Sequence, residues 1–182
     1  GDIIEFCTEH LPRWVPVSIA GYNGADTGLT PDQELGSLFA NAVEYLDEIQ
    51  LRGRIPLEVA ARGCGGVSFR ASIKIFEEAC KMRAARLMWS DLLKERYDIK
   101  DERVANLRIH CVTAGSKMAY QQPMNNLVRG ALMAVSAVLG GVQSPGVSGY
   151  DEALSIPSEH AHQMSVRIQQ ILMEETGLTD VT

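Results

Sequence analysis

Several short apolar segments of the sequence carry or adjoin side chains that could bind a small molecule. These side chains belong to Tyr22, Asn23, Arg62, His110 and Glu152. Phenol, amide, imidazole and carboxylate groups all form hydrogen bonds, and an arginine can grip a phosphate. An amide can donate a hydrogen bond to a carbonyl, but it cannot supply a proton. These residue types predict a binding pocket at the ends of several elements.

The apolar segments themselves predict strands, and helical patterns lie between them. The predicted strands are Trp14–Ala20, Gly65–Phe69, Asn106–Val112 and Val142–Val147. The first helix is predicted to begin at Thr30. Thr30 and the three residues after it are a threonine, a proline, an acid and a glutamine, which is the order typical of a helix start. Strands roughly 35–50 residues apart with a helix between each pair are typical of parallel βα units.

Three further helices are predicted from apolar residues at helical spacing. The second helix is expected to bury a face made of Ile73, Phe76, Cys80, Ala84, Leu87 and Met88. The third is expected over Asn126–Leu139, and the last is expected to be capped by Ser158 and ended by Gly177. In such a fold, functional residues gather at the carboxyl ends of the strands.

Four βα units amount to half of a (β/α)8 barrel, which needs about 250 residues. The predicted fold class is therefore α/β, of the (β/α)8 TIM-barrel type, here as a half barrel. Half a barrel leaves two exposed parallel edges, a state that proteins normally avoid. We therefore expect the other half to come from a longer chain or from another chain, and we expect residues 1–182 alone to be poorly soluble.

Composition and motifs argue against several other classes of protein. The formal net charge is −6 and the pI is about 5.2, which argues against the basic face of a nucleic-acid-binding protein. No apolar run approaches the roughly 18 residues of a membrane span. Four cysteines without a CxxC pair predict a reduced, cytoplasmic protein without a cysteine metal site. His160 and His162 are predicted to be surface residues, since two residues apart on a helix they face different ways.

Two of the candidate residues also have an ordinary structural interpretation. A lone histidine within a strand, such as His110, is more often packed in a core than functional. Glu152 follows the glycine-rich segment GGVQSPGVSG and could simply cap a short helical turn. That segment matches neither the dinucleotide pattern nor the P-loop pattern, so it does not predict a phosphate loop. The residues alone predict a pocket but not its ligand.

Whole segments nevertheless resemble one enzyme family. The adenosylcobalamin-dependent acyl-CoA mutases, or methylmalonyl-CoA mutase family, are similar to this chain in WVPVSIAGYNGADTG (14–28), KMRAARLMW (81–89), RIHCVTAGSKMAYQQPMNNLVRGAL (108–132) and VQSPGVSGYDEALSIPSE (142–159). The resemblance covers essentially the whole chain. It implies that residues 1–182 form the last four βα units of the substrate-binding barrel, in the large or alpha subunit.

The resemblance also implies a cofactor and partners. In that family the barrel holds acyl-CoA, and a separate domain or subunit binds adenosylcobalamin and supplies the cobalt ligand. The corresponding D-x-H-x-x-G motif is absent from this sequence, so no metal ligand is expected in the chain. The implied partners are an acyl-CoA substrate, the cobalamin-binding domain or subunit, and a second subunit in a homo- or heterodimer. The implied reaction is a radical isomerisation of the carbon skeleton.

Several residues match family positions that contact the substrate. Tyr22 matches a tyrosine that packs against the acyl group. Asn23 stands where the family has a histidine that hydrogen-bonds the thioester carbonyl, so hydrogen-bond donation could survive but acid catalysis could not. Arg13 falls where a lysine contacts coenzyme A, and His110 matches a histidine beside the coenzyme A channel.

A further substrate contact depends on how one segment is aligned. Arg62 matches an arginine that contacts coenzyme A, provided that a two-residue insertion follows it. On that alignment Cys64 replaces a serine ligand, whereas on the alternative alignment Ser68 is that serine. We favour the first alignment.

The remaining matches imply a face for the cofactor. Asp26 stands where the family has a glutamate near the corrin, Gly115 matches a glycine against the ring, and Ser116 replaces a bulky aromatic residue. Glu152 matches the glutamate that hydrogen-bonds the adenosyl ribose. The apolar neighbours of that glutamate are matched by Ala153 and Ile156.

Two functions are compatible with this pattern. Polar family positions have changed at Asn23, Val112 and Ser148, which predicts a mutase whose acyl substrate differs from methylmalonyl-CoA. The alternative is a non-catalytic structural or partner subunit of a heteromeric mutase. The family residue is kept at Tyr22, His110 and Glu152. A subunit without cofactor has no use for a ribose-binding glutamate. The mutase is therefore the favoured prediction.

Overall fold

The computed structural model describes residues 1–180. Its helices and strands are, in chain order, α1 Asp2–His10, β1 Ile19–Ala20, α2 Tyr22–Asp26, α3 Pro31–Arg52, α4 Leu57–Cys64, β2 Gly66–Ala71, α5 Ile75–Tyr97, α6 Glu102–Ala105, β3 Arg108–Thr113, α7 Asn125–Leu139, β4 Ser144–Gly146 and α8 Glu159–Glu174. Two 3-10 turns cover Gly115–Lys117 and Leu178–Asp180.

The strands lie in one sheet in the order β1-β2-β3-β4. β1 pairs with β2 in parallel, with Ile19 opposite Val67, and β3 pairs with β4 in parallel, with Cys111 opposite Pro145. Helices connect successive strands, as parallel pairing requires. The predicted α/β class with parallel βα units is therefore confirmed.

Contacts within the chain divide it into two compact units. Unit 1 comprises residues 1–68 and 84–109, and unit 2 comprises residues 69–83 and 110–180. Each unit has its own apolar core. The largest fully buried side chains include Leu38, Leu46, Ile49, Trp89 and Leu93 in unit 1 and Phe69, Met82 and Met133 in unit 2.

The start predicted for the first long helix is confirmed. Thr30 caps α3 and forms a capping box with Gln33, whose Oε1 accepts a hydrogen bond from the Thr30 backbone N–H at 3.1 Å. The helix ends at Gly53, whose φ of +62° is left-handed, a conformation that glycine adopts without steric cost. The starts predicted for the third and last helices agree with α7 and α8 to within one residue.

The predicted buried face of α5 is wrong. Phe76 is 79% exposed and Leu87 is 69% exposed, and Ile73, Cys80 and Met88 are exposed as well. The helix instead buries Ala79, Met82, Ala85, Trp89 and Leu93. Apolar residues therefore occupy opposite sides of α5, and their spacing alone does not tell which side faces the sheet.

Three further differences from the sequence prediction lie in unit 1. The first strand is only two residues long, and Pro16, which has no N–H for a ladder, lies in the segment before it. Tyr22–Asp26 forms a short helix that the sequence pattern did not predict. Helix α4 was not predicted, because it is only eight residues long and contains Gly63, and glycine is a poor helix former.

Candidate functional site

Three arginines line one cavity of unit 1. Arg13 lies in the segment before β1, Arg62 on α4, and Arg108 is the first residue of β3. The cavity has a volume of about 440 Å³, and none of the described residues that line it is acidic. Three guanidinium groups without a carboxylate among them attract anions, and their planar forks suit phosphate oxygens. The cavity is therefore a candidate phosphate site.

Arg108 is held in this cavity by main-chain contacts. Its Nη2 donates a hydrogen bond to the Arg62 carbonyl oxygen at 3.0 Å, and its backbone N–H donates to the Gly65 carbonyl at 2.8 Å. The structure thus brings the predicted Arg13 and Arg62 together and adds an arginine that sequence reasoning missed. One sequence feature could have identified Arg108. It lies two residues before His110, so both side chains point to the same side of β3.

The same cavity has an apolar and aromatic wall. Trp14, Val15, Pro16 and Val59 line it beside the arginines. The Trp14 side chain is 68% exposed, so a large part of its surface is accessible to a ligand. A flat aromatic surface beside cations suits a ligand that combines an aromatic base with phosphate groups.

Cys64 does not line this cavity. It is completely buried at the end of α4, and burial raises the pKa of its thiol to about 11. Ser68, its alternative in the alignment, is half-buried on β2, with its Oγ 3.2 Å from the Ser18 Oγ. Of the two, the Ser68 hydroxyl is the more accessible to a ligand. Both assignments stay predictions.

The burial of Cys64 has a measurable consequence. In the native full-length protein, a maleimide is expected to label the exposed Cys80 rapidly and Cys64 at least about tenfold more slowly. A raised pKa keeps the thiol protonated below that pKa, so an increase from pH 7 to pH 9 is expected to leave Cys64 labelling low. Peptide mapping by mass spectrometry measures both sites. Labelling of Cys64 as fast as Cys80 would contradict the burial.

Tyr22 and Asn23 open α2, directly after β1. The turn into this helix is fixed by Gly21, whose backbone N–H donates to the Ser68 carbonyl at 3.0 Å. Tyr22 is half-buried, whereas Asn23 and Asp26 are exposed. Tyr22 and Asp26 are four residues apart, so they lie on one side of the short helix. The structure therefore presents all three predicted residues together at the carboxyl end of β1.

In unit 2, Glu152 lies directly against Gly115. A Cβ atom at position 115 would lie 2.9 Å from both the Cγ and the Oε1 of Glu152, which is closer than Cβ atoms approach other atoms. A larger residue at 115 would have to push the exposed Glu152 side chain aside, so glycine lets the carboxylate lie in this position. The next residue, Ser116, accepts a hydrogen bond through its Oγ from the Arg70 guanidinium at 3.2 Å. Three predicted cofactor-side residues thus meet after β3 and β4.

The other predicted residues of unit 2 lie near this carboxyl edge. Ser148 donates from its Oγ to the Thr113 carbonyl at 3.0 Å, and its backbone N–H donates to the Thr113 Oγ1 at 2.8 Å. Ala153 and Ile156 follow Glu152 and are exposed. Each of these residues lies in the chain segment that follows β4.

The interpretation of His110 as a core residue is wrong. Its side chain is exposed, because β3 alternates and buries Ile109 and Cys111 on the other side. The His110 Nδ1 lies 3.0 Å from the Ser144 Oγ on the paired strand β4. An exposed imidazole held by a neighbouring hydroxyl is compatible with the predicted substrate contact, which stays a prediction.

A buried ion pair supports the strand that carries Arg70. The Lys81 Nζ lies 2.7 Å from the Glu78 Oε2 and donates to the Arg70 carbonyl oxygen at 3.2 Å. The same ammonium group lies 5.3 Å from the centre of the Phe69 ring, within the range of a cation–π contact. The Lys81 side chain is only 1% exposed. The pair therefore fixes the end of β2 from inside the core of unit 2.

Residues 1–180 contain neither a cluster of metal-binding side chains nor a membrane-spanning helix. No group of three or more histidine, cysteine, aspartate or glutamate residues in this range could hold a metal ion. No helix in the same range is long and apolar enough to cross a membrane.

Comparison with known proteins covers the whole chain. The family model described as methylmalonyl-CoA mutase matches residues 1–182. The 2-hydroxyisobutanoyl-CoA mutase large subunit of Aquincola tertiaricarbonis is 40% identical over 180 residues, which are 99% of this chain and 32% of that protein. The methylmalonyl-CoA mutase of Rhizobium meliloti strain 1021 is 37% identical over 182 residues, 99% of this chain and 25% of that protein.

A mammalian relative also matches nearly the whole chain over only part of its own length. The mitochondrial methylmalonyl-CoA mutase of Homo sapiens is 34% identical over 182 residues, 99% of this chain and 24% of that protein. The chain thus spans about a quarter to a third of the length of these relatives. Since the family model matches its full length, the chain belongs to the methylmalonyl-CoA mutase family.

Proposed function

We propose that the protein containing this chain is an adenosylcobalamin-dependent acyl-CoA mutase, an isomerase of carbon skeletons. Residues 1–182 would form one part of its acyl-CoA-binding domain, and the sheet would be completed into a (β/α)8 barrel by other parts of the protein. The observation that carries the proposal is the cavity lined by Arg13, Arg62 and Arg108. Mutase names among the relatives support it.

The arginine cavity suits the nucleotide end of coenzyme A. Coenzyme A carries several phosphate groups and an adenine ring. The guanidinium groups of Arg62 and Arg108 would bind phosphate oxygens, and the exposed indole of Trp14 would pack against the adenine. Both kinds of contact are available in unit 1 alone.

The acyl end of the substrate would lie at the opposite ends of the strands. Arg13 precedes β1 and Tyr22 follows it, so a long, thin ligand along this strand would reach from one to the other. Tyr22 would pack against the acyl group, and Asn23 would donate a hydrogen bond to the thioester carbonyl. Because an amide supplies no proton, Asn23 would help by hydrogen bonding and not as an acid.

The residues of unit 2 fit a cofactor with a flat ring and a ribose. Gly115 and the exposed Glu152 lie side by side, and the Glu152 carboxylate can accept hydrogen bonds from ribose hydroxyl groups. When bound, adenosylcobalamin would supply the radical chemistry of the rearrangement. The cobalt ligand would come from a separate domain or subunit, which is a proposed partner.

The alternative is a non-catalytic partner subunit in a heteromeric mutase. One relative is named as a large subunit, so a heteromeric assembly is a natural proposal for this protein too. We also propose a cytoplasmic location, supported by four cysteines that form no disulfide with one another. The proximity of Glu152 to Gly115 favours the catalytic alternative.

The first experiment uses the full-length protein with its cobalamin-binding domain or subunit. Adenosylcobalamin is added with a panel of acyl-CoA esters that includes methylmalonyl-CoA and 2-hydroxyisobutanoyl-CoA, and mass spectrometry follows isomer formation. Turnover of one ester that is lost in Glu152→Ala and kept in Arg167→Ala, an exposed control on α8, would establish the mutase. Tight cofactor binding without turnover of any ester, not rescued by Asn23→His, would favour the partner subunit.

A further inference from the structure

A single buried amide joins the two loops that carry Gly115 and Glu152. Asn126, the second residue of α7, is 1% exposed. One of its neighbours is Ala119, in the segment after β3, and the other is Tyr150, in the segment after β4. All these residues belong to unit 2.

The Asn126 side chain makes four hydrogen bonds. Its Nδ2 donates to the carbonyl oxygens of Tyr150 at 2.8 Å and of Ala119 at 2.9 Å. Its Oδ1 accepts from the Ala119 backbone N–H at 2.9 Å and from the Arg129 guanidinium at 2.8 Å. Two donated and two accepted bonds use the full capacity of an amide.

The bonds of Asn126 fix backbone close to the candidate cofactor residues. Ala119 is four residues after Gly115, and a 3-10 turn lies between them. Tyr150 is two residues before Glu152, in a tight turn in which the Glu152 N–H donates to the Gly149 carbonyl at 3.1 Å. A shift of either loop would therefore alter how the Glu152 carboxylate lies against Gly115.

We propose that Asn126 is a positioning residue that sets Glu152 against Gly115 for contact with the adenosyl ribose. The identity of the ligand rests on the proposed function, whereas the joining of the loops rests on the hydrogen bonds alone. Glu152 itself is exposed, so its position depends on the backbone that carries it.

Aspartate at position 126 separates this role from simple space filling. Asn126→Asp keeps the shape of the side chain but replaces the Nδ2 donor with an oxygen. That oxygen would face the carbonyl oxygens of Tyr150 and Ala119 at hydrogen-bond distance and repel both. The Arg129 guanidinium would still have its acceptor. The variant therefore breaks the two bonds that Nδ2 donates to the loops. It keeps the two bonds that Oδ1 accepts, from the Ala119 N–H and from Arg129 within α7.

The neighbouring residue offers a matched control. Asn125 lies on the same first turn of α7, is exposed, and donates to the Gln122 Oε1 at 2.9 Å. Asn125→Asp makes the same chemical change at the same helix end and leaves the bonds to Ala119 and Tyr150 in place. Any general effect of a new charge at the start of α7 would appear in both variants.

The test measures two properties of the full-length protein. Hydrogen exchange followed by mass spectrometry is expected to rise in peptides covering 115–120 and 147–156 for Asn126→Asp and to stay at the wild-type level for Asn125→Asp. The dissociation constant of adenosylcobalamin is expected to increase about 10–30-fold in Asn126→Asp only. Binding of coenzyme A, which the arginines of unit 1 would hold, is expected to be unchanged.

Each other result has a defined meaning. Equal exchange and equal cofactor affinity in the two variants would overturn the proposal. A loss of coenzyme A binding in Asn126→Asp as large as its loss of cofactor binding would also overturn it, because it would indicate general unfolding. If the wild-type protein does not bind the cofactor, the proposed function fails, while the exchange data still decide whether Asn126 joins the loops. Should Asn126→Asp not fold, Asn126→Ser, which keeps one donor, takes its place. It is expected to raise exchange in the same two groups of peptides, and wild-type exchange in this variant would overturn the proposal.

Discussion

Replacement of Lys81 by methionine is expected to lower the free energy of unfolding by about 3–5 kcal/mol. The substitution leaves the Glu78 carboxylate buried without the ammonium group that lies 2.7 Å away, and it removes the donor to the Arg70 carbonyl. Methionine has nearly the shape of lysine, so packing against Phe69 changes little. Urea unfolding of the full-length protein, followed by circular dichroism, measures the loss.

The same helix region supplies a matched control for this prediction. Lys74 and Glu77 form an ion pair at 2.9 Å with the same spacing of three residues, but both side chains are largely solvated. Lys74→Met is therefore expected to cost at most about 1 kcal/mol. The double variant Glu78→Leu with Lys81→Met is expected to recover most of the stability, because no buried charge remains. A Lys81→Met loss no larger than that of Lys74→Met would refute the account.

Removal of Arg108 is expected to weaken coenzyme A binding by the full-length protein about 10–100-fold. A hydrogen bond between charged groups contributes about 1.5–3 kcal/mol, and the alanine variant loses one such contact to a phosphate. The affinity is also expected to depend less steeply on salt, because one cation fewer takes part. Isothermal titration calorimetry at two salt concentrations measures both effects.

Two controls make the Arg108 result specific. Arg167→Ala removes an exposed arginine of unit 2, where it pairs with Gln170, and is expected to leave the affinity unchanged. Arg62→Ala removes a second arginine of the same cavity and is expected to match Arg108→Ala within about threefold. Wild-type affinity in both cavity variants would mean that the cavity does not hold phosphate groups.

Local signals explain why much of the fold could be predicted from the sequence. The capping box at Thr30 and the cap at Ser158 act through residues three positions away, so short stretches reveal them. The buried side of α5 depends on which neighbours the helix meets, and apolar residues such as Phe76 and Met82 lie on opposite sides. Only the folded chain distinguishes them, because burial is a property of long-range contacts.

In the candidate site too, the sequence reveals local features but not long-range contacts. Residues next to strand ends, such as Tyr22 and Glu152, could be found because their position follows from the order of elements. Arg108 was missed because its guanidinium meets Arg62, which is 46 residues away in the sequence. Asn126 stands in the segment PMNNLV, where the sequence indicates only a helix start, whereas its partner Tyr150 is 24 residues away. Long-range hydrogen bonds leave no local pattern.

The contact between Gly115 and Glu152 limits how this protein can evolve. A larger residue at 115 would displace the exposed Glu152 side chain from its present position. If the glutamate binds the cofactor, that displacement costs activity. The two positions are thus expected to depend on each other: in a deep mutational scan that scores the amount of folded protein, substitutions at 115 would be tolerated more often in a Glu152→Gly background than in the wild type.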